Sequence, residues 1–306
     1  MGAMSGRADR AATASNPALR SPVPPVRFAA GSPSVARSLD PLALAGHLWN
    51  HRALVWQLTR REIEGRYRGS FFGIFWSFVS PVVLLGIYTF VGGVVLRIRW
   101  PGSAAGGLGE FALMLFAGLI AYNVFAECVS RSAGLVVAVP SYVKKVVFPL
   151  EILPVSVLGS ALFHGLVSLA ALFAFDLVRR GELAWTVLFL PLAVVPLALL
   201  SLGLSWFLSS VGVFLRDLSY AVPLLLQVVF FATPIMYPPE SVPPRFGIAL
   251  RLNPLAWTVE SFRGLIFRGT PPDWTGLAAW TAAAGVVMLL GYAWFMKTRK
   301  GFADVL

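Results

Sequence analysis

The chain has 306 residues, 57% of them hydrophobic and only 13% charged, with a formal net charge of +11 at pH 7. Soluble domains carry roughly 25% charged residues, so a mean hydropathy of +0.75 excludes a soluble enzyme and defines a multi-span membrane protein. The surplus Lys and Arg lie mostly in the N-terminal region and in loops, which assigns them to anionic lipid headgroups and not to nucleic acid.

Residues 1–40 are rich in Ala, Ser, Pro and Arg and contain no signal-peptide apolar core, so a disordered cytoplasmic tail is expected. From 41 to 65, Leu44, Leu48, Val55 and Leu58 recur at helical spacing beside Trp49 and Trp56, with Arg52, Arg60 and Arg61 as polar neighbours. This pattern predicts an amphipathic helix lying on the cytoplasmic leaflet, too charged to span. Arg60, Arg61, Arg66 and Arg68 then form a cationic collar, and no further charge appears until Arg97. A basic collar before an uncharged run long enough for a bilayer core of about 30 Å marks an entry from the cytoplasmic side.

The first span is predicted over about 71–96, with Phe71, Phe75 and Phe78 at i, i+4 and i+7, and Pro81 is expected to kink it. A second follows over about 111–129, ended by Glu127 and Arg131 at the favourable i, i+4 spacing. The connection 140–154 is bracketed by prolines and mixes Tyr142, Val143 and Phe148 with Lys144, Lys145 and Glu151. Apolar groups among charges on an exposed loop predict a docking element with an aromatic anchor. Further spans are predicted over about 155–178, 185–213, 220–235 and 277–296, the third holding His164. Segment 238–275 is too broken to span, with Asn253 as N-cap and Pro254 at the first helical position of a re-entrant or interfacial helix. Six spans place both termini in the cytoplasm, where Lys297, Arg299 and Lys300 close the chain.

The sequence offers no catalytic or metal site. Cys128 is the sole cysteine, and His47, His51 and His164 lack adjacent acidic ligands. No GxxxxGK[ST] loop is present, so the chain is not expected to bind or hydrolyse ATP by itself.

Four stretches, in this order, carry a family resemblance: RYRGSFFGIFWSFVSP, PSYVKKVVFPLEILP, LRDLSYAVPLLLQVVFFATPIMYP and LNPLAWTVESFRGLIFRG. From about residue 45 onward the chain resembles the permease subunits of ABC type-2 exporters of cell-surface polysaccharides such as O-antigen and teichoic acid. The resemblance implies an all-α homodimer of six-span subunits in the bacterial inner membrane, with two separate ATPase subunits that bind ATP and Mg. It implies a glycan substrate on a lipid, usually undecaprenyl diphosphate, moving along the first and fifth spans past a periplasmic mouth built by 238–270. On that basis Phe71, Phe75, Trp76, Phe78, Tyr88, Phe230, Phe231, Met236 and Tyr237 are expected along the substrate path. Arg60, Arg61, Arg66 and Arg68 are expected to meet the lipid diphosphate. Tyr142, Lys144, Lys145, Phe148 and Glu151 are expected to couple to the ATPase. The competing readings are a drug or small-lipid permease of the same superfamily, and a membrane enzyme acting on lipid-linked sugars. The enzyme would need convergent carboxylates or a His–Asp pair near one interface, which the sequence does not offer.

Overall fold

A computed structural model describes residues 40–69, 71, 73–95, 97, 100, 108–144 and 148–306. The expected tail, apart from Asp40, lies outside the described residues, as do Lys145 and the side chain of Lys144. Among the described residues every regular element is helical.

The expected amphipathic helix is two helices, α1 (Pro41–Asn50) and α2 (Arg52–Tyr67). The Asp40 carboxylate caps α1 by accepting from Leu42 N at 2.9 Å. The chain breaks at His51, whose N–H bonds to Leu48 O at 3.1 Å and whose Nδ1 lies 2.9 Å from His47 O. That tightened turn redirects α2 onto the third span. There Thr59 fills the space left by Gly159: a Cβ at Gly159 would meet Thr59 Oγ1 at 2.8 Å. Leu44 and Leu58 are buried, whereas Trp49 and Trp56 stay exposed.

The remaining helices are α3 (Trp76–Thr89), α4 (Leu108–Leu135), α5 (Pro140–Lys144), α6 (Ile152–Arg180), α7 (Leu190–Phe214) and α8 (Leu218–Ala232). They are followed by α9 (Gly247–Arg251), α10 (Pro254–Arg263), α11 (Trp274–Thr298) and α12 (Phe302–Val305). A π turn, Phe90–Val95, prolongs α3, and a 3-10 turn, Trp185–Phe189, precedes α7. Among the described residues, five helical runs are long and apolar enough to cross a membrane, and α8 is a shorter apolar helix. With 15 residues α8 is about 22 Å long at 1.5 Å per residue, and the irregular stretch 233–238 carries the chain onward. The connection 140–154 is shorter than expected, because Pro154 lies in the first turn of α6, where its missing N–H has no intrahelical partner to lose. As expected, the Asn253 side chain caps α10, accepting from Leu255 N at 3.0 Å and Ala256 N at 3.4 Å.

The second span, α4, is the centre of the bundle. Its most apolar stretch is 78% buried, against 6% for the first span. It packs against α3, α6, α7, α8 and α10. Helices α7 and α11 run against each other, meeting backbone to backbone at Gly203 and Gly291. A Cβ at Gly203 would lie 2.7 Å from Met288 N, so the contact exists only because neither glycine has a side chain. Gly203→Val is therefore expected to separate these helices at a cost of roughly 1–3 kcal/mol or more, read as a lower thermal midpoint and a loss of monodisperse protein in detergent.

The two ends of the bundle differ. One gathers α1, α2, α5 and the C-terminus: Glu151 bonds to His47 and Arg299, and Arg61 reaches Tyr142. The other gathers the turn before α7 and the segment around α10: Thr186 Oγ1 donates to Leu265 O at 2.6 Å, and Arg180 Nη1 to Phe267 O at 3.1 Å.

Candidate functional site

Two cavities lie along α4. The first, about 680 Å³, sits between α2, α3, α4 and α6 near the collar. The second, about 610 Å³, sits between α3, α4 and α8 and extends to Met236 beyond α8. Leu84 and Asn123 line both, so the two cavities adjoin along the first span.

The first cavity, at the collar end, is charged. Arg66 Nη1 lies 2.9 Å from Glu127 Oε2, and His164 Nδ1 lies 3.1 Å from the same oxygen. His164 Nδ1 also lies 3.1 Å from Arg66 Nη1. A proton on Nδ1 donates to Glu127, and its removal lets Nδ1 accept from Arg66. Arg131 pairs with Glu62 on α2 and stands 3.9 Å from Glu127 Oε1, so the expected i, i+4 pair is the looser of its two contacts. Two guanidinium groups are matched by two carboxylates. An incoming anion would compete with these carboxylates for the guanidinium N–H groups, and the Arg66 side chain is half exposed to receive it.

The other collar arginines point elsewhere. Arg60 pairs with Glu64 at 2.6 Å, Arg61 Nη1 donates to Tyr142 Oη at 3.3 Å, and Arg68 is exposed at the end of α2. Of the four, Arg66 alone lines either cavity.

The second cavity is aromatic. Tyr88, Phe230, Phe231 and Met236 line it, and Trp76 lines the first. The rings interlock, with Tyr88 and Phe230 centroids 6.1 Å apart and Tyr122 and Phe230 5.1 Å apart. Tyr122 Oη donates to Leu226 O at 2.7 Å and so ties α4 to α8. Phe71, Phe75 and Phe78 are exposed and line neither cavity. Tyr237 also lies outside them, its hydroxyl donating to Phe231 O at 2.9 Å.

The mouth beside Met236 is held by Arg263, a residue that sequence reasoning counted only among the loop charges. Its side chain is fully buried. Nε donates to Met114 O at 3.0 Å, Nη1 to Pro234 O at 2.6 Å and Glu260 Oε1 at 2.7 Å, and Nη2 to Ile235 O at 2.7 Å. The guanidinium also stands 4.5 Å from the Trp100 ring centroid. One side chain thus fastens the irregular chain after α8 and helix α10 to α4.

At the collar end, Tyr142 and Phe148 stack with centroids 4.6 Å apart. Glu151 is buried, so it is not the exposed rim charge that the loop pattern suggested. Its Oε1 lies 2.9 Å from His47 Nε2 and its Oε2 2.8 Å from Arg299 Nη1, while Arg299 Nη2 donates to Phe148 O at 3.1 Å. Trp206 Nε1 donates to Glu151 O at 2.9 Å. Burial pushes the Glu151 carboxyl upward, but the His47 hydrogen bond and the Arg299 charge outweigh it and hold the group below the usual carboxylate range.

An all-helical bundle whose spans enclose two adjoining cavities, one charged and the other aromatic, defines a multi-span membrane transport protein. Residues 53–267, well over half of the chain, match the family described as ABC-2 type transporter, and the chain belongs to that family as its membrane-spanning transport subunit. It is 29% identical over 265 residues to the O-antigen export system permease protein RfbA of Myxococcus xanthus, covering 86% of this chain and 99% of that protein. A protein of the same name from Klebsiella pneumoniae is 28% identical, over 81% of this chain and 93% of the relative. The polysialic acid transport protein KpsM of Escherichia coli is 26% identical, over 79% of this chain and 92% of the relative.

Proposed function

We propose that this chain is the permease subunit of an ATP-driven exporter that moves a lipid-linked cell-surface polysaccharide, of the O-antigen kind or a related glycan, across the bacterial inner membrane. The observation that carries this reading is the pair of adjoining cavities, one lined by the arginine cluster and the next by Tyr and Phe rings. A lipid-linked glycan has the same division, an anionic diphosphate joined to sugars whose C–H faces stack on rings. The glycan-export names of the relatives support the same substrate class.

The working unit is a homodimer with two ATPase subunits, which supply ATP and Mg binding. The end that carries α1, α2 and both described termini faces the cytoplasm, with the mouth held by Arg263 outside. Arg66 and Arg131 exchange their carboxylate partners for the lipid diphosphate as it enters. Arg60, Arg61 and Arg68 act around that entrance on the headgroup layer. The loop with Tyr142, Lys144, Lys145 and Phe148 seats on the ATPase, and Glu151 passes its displacement to α1 and the C-terminus. Trp76, Tyr88, Phe230, Phe231 and Met236 line the path, and the exposed Phe71, Phe75 and Phe78, together with Tyr237, lie along its flanks.

The test is deletion of this chain in its own host. Surface polysaccharide should disappear, with lipid-linked glycan held inside, and the restored chain should return it. Unchanged surface polysaccharide in the deletion would refute the assignment.

A further inference from the structure

The second cavity is not uniformly apolar. Asn123 on α4 and Gln227 on α8 both open into it, among the rings of Tyr88, Phe230 and Phe231. Both side chains are exposed and make no hydrogen bond among the described residues. Each lies within an apolar span and presents its amide to the cavity beside the rings. Among the described residues the hydrogen bond between α4 and α8 is made by Tyr122 to Leu226 O and not by either amide.

We propose that Asn123 and Gln227 are the hydrogen-bonding ligands for sugar hydroxyls in the translocation path, an inference that rests on the polysaccharide reading. A primary amide offers two N–H donors and a carbonyl acceptor, which matches the adjacent hydroxyls of a pyranose. Rings beside it accept the apolar face of the same sugar. A lipid tail would gain from the rings and lose at the amides, so this pair selects the glycan over the acyl chain. Asn123 also lines the first cavity, which places it where sugars leave the charged end and enter the aromatic one.

The test uses the full complex in its host. Benzoylphenylalanine is placed at Val91, which lines the same cavity, and the cells are irradiated. The purified permease is then stained for periodate-sensitive glycan. With both amides present a glycan adduct is expected. In Asn123→Leu and Gln227→Leu the adduct should fall at least fivefold, and in Gln227→Asn it should return. The Leu variants should insert and melt as the native chain does, because both positions are exposed and the amides make no hydrogen bond among the described residues. An undiminished adduct in the Leu variants, or no adduct in the native background while surface glycan still depends on this chain, would overturn the inference alone. A lower melting temperature in the Leu variants would do the same, assigning the amides to structure. Surface glycan that persists without the chain would instead overturn the polysaccharide reading itself.

Discussion

Arg263→Met is expected to lose most of the folded protein. The substitution removes the donor for the carbonyls of Met114, Pro234 and Ile235 and leaves Glu260 with Arg268 as its cation. Met fills much of the volume but satisfies none of these acceptors. Each of the three carbonyls left without its donor costs about 1–3 kcal/mol. Most of that cost falls on the irregular turn after α8, which has no helical hydrogen bonds to fall back on. Arg263→Lys should recover little, because a compact ammonium cannot reproduce a planar fork that reaches three carbonyls and a carboxylate at once. Size-exclusion profiles and thermal midpoints in detergent read the result. A Met variant that melts with the native chain would mean that the mouth is held by packing alone.

The second large effect is expected at Glu151. Glu151→Ala strips the shared carboxylate from His47 and Arg299 and opens a space beside Trp206. A loss of about 3 kcal/mol is expected for breaking a pair whose acid is buried. The pH dependence follows from the lowered carboxyl. The unfolded chain binds this proton more tightly than the folded one, so the contribution is complete above the unfolded value and is lost as pH falls through the folded value. Acid unfolding should therefore steepen below the ordinary carboxylate range in the native chain and flatten in Glu151→Gln. Identical acid profiles would remove Glu151 from the account. Because Arg299 also holds Phe148 O, Glu151→Gln should in addition lower export more than it lowers ATPase binding.

Much of the fold is legible in the sequence because a bilayer imposes length and apolarity on each span. The α10 cap is legible because Asn253 and Pro254 act on their own backbone. The break at His51 is not, since Leu48, Trp49, Val55 and Trp56 keep a helical rhythm across it and only the packing of Thr59 on Gly159 requires the bend. The site was legible in part. The family resemblance pointed to the first and fifth spans and the segment after them, and Tyr88, Phe230, Phe231 and Met236 from those stretches line one cavity. Periodicity could not tell that Phe71, Phe75 and Phe78 line neither cavity, because an apolar span has little moment to orient it. The Arg66–Glu127–His164 cluster joins residues up to 98 positions apart, so no local pattern announces it. Arg263 read as a loop charge because nothing nearby in sequence reveals the three carbonyls that enclose it. Asn123 and Gln227 are single polar positions within apolar runs, and such positions were the available signal.

The most direct test of the account is reconstitution. The purified permease and its ATPase are placed in liposomes loaded on the outer, ATPase-bearing side with a lipid-linked glycan, and the sugar is probed with a membrane-impermeant glycosidase on that side. The account predicts that glycan becomes protected on adding ATP and Mg, that protection requires both subunits, and that the permease alone hydrolyses no ATP. Glycan that stays fully accessible in a complex that hydrolyses ATP, or ATP hydrolysis by the permease free of its partner, would contradict it.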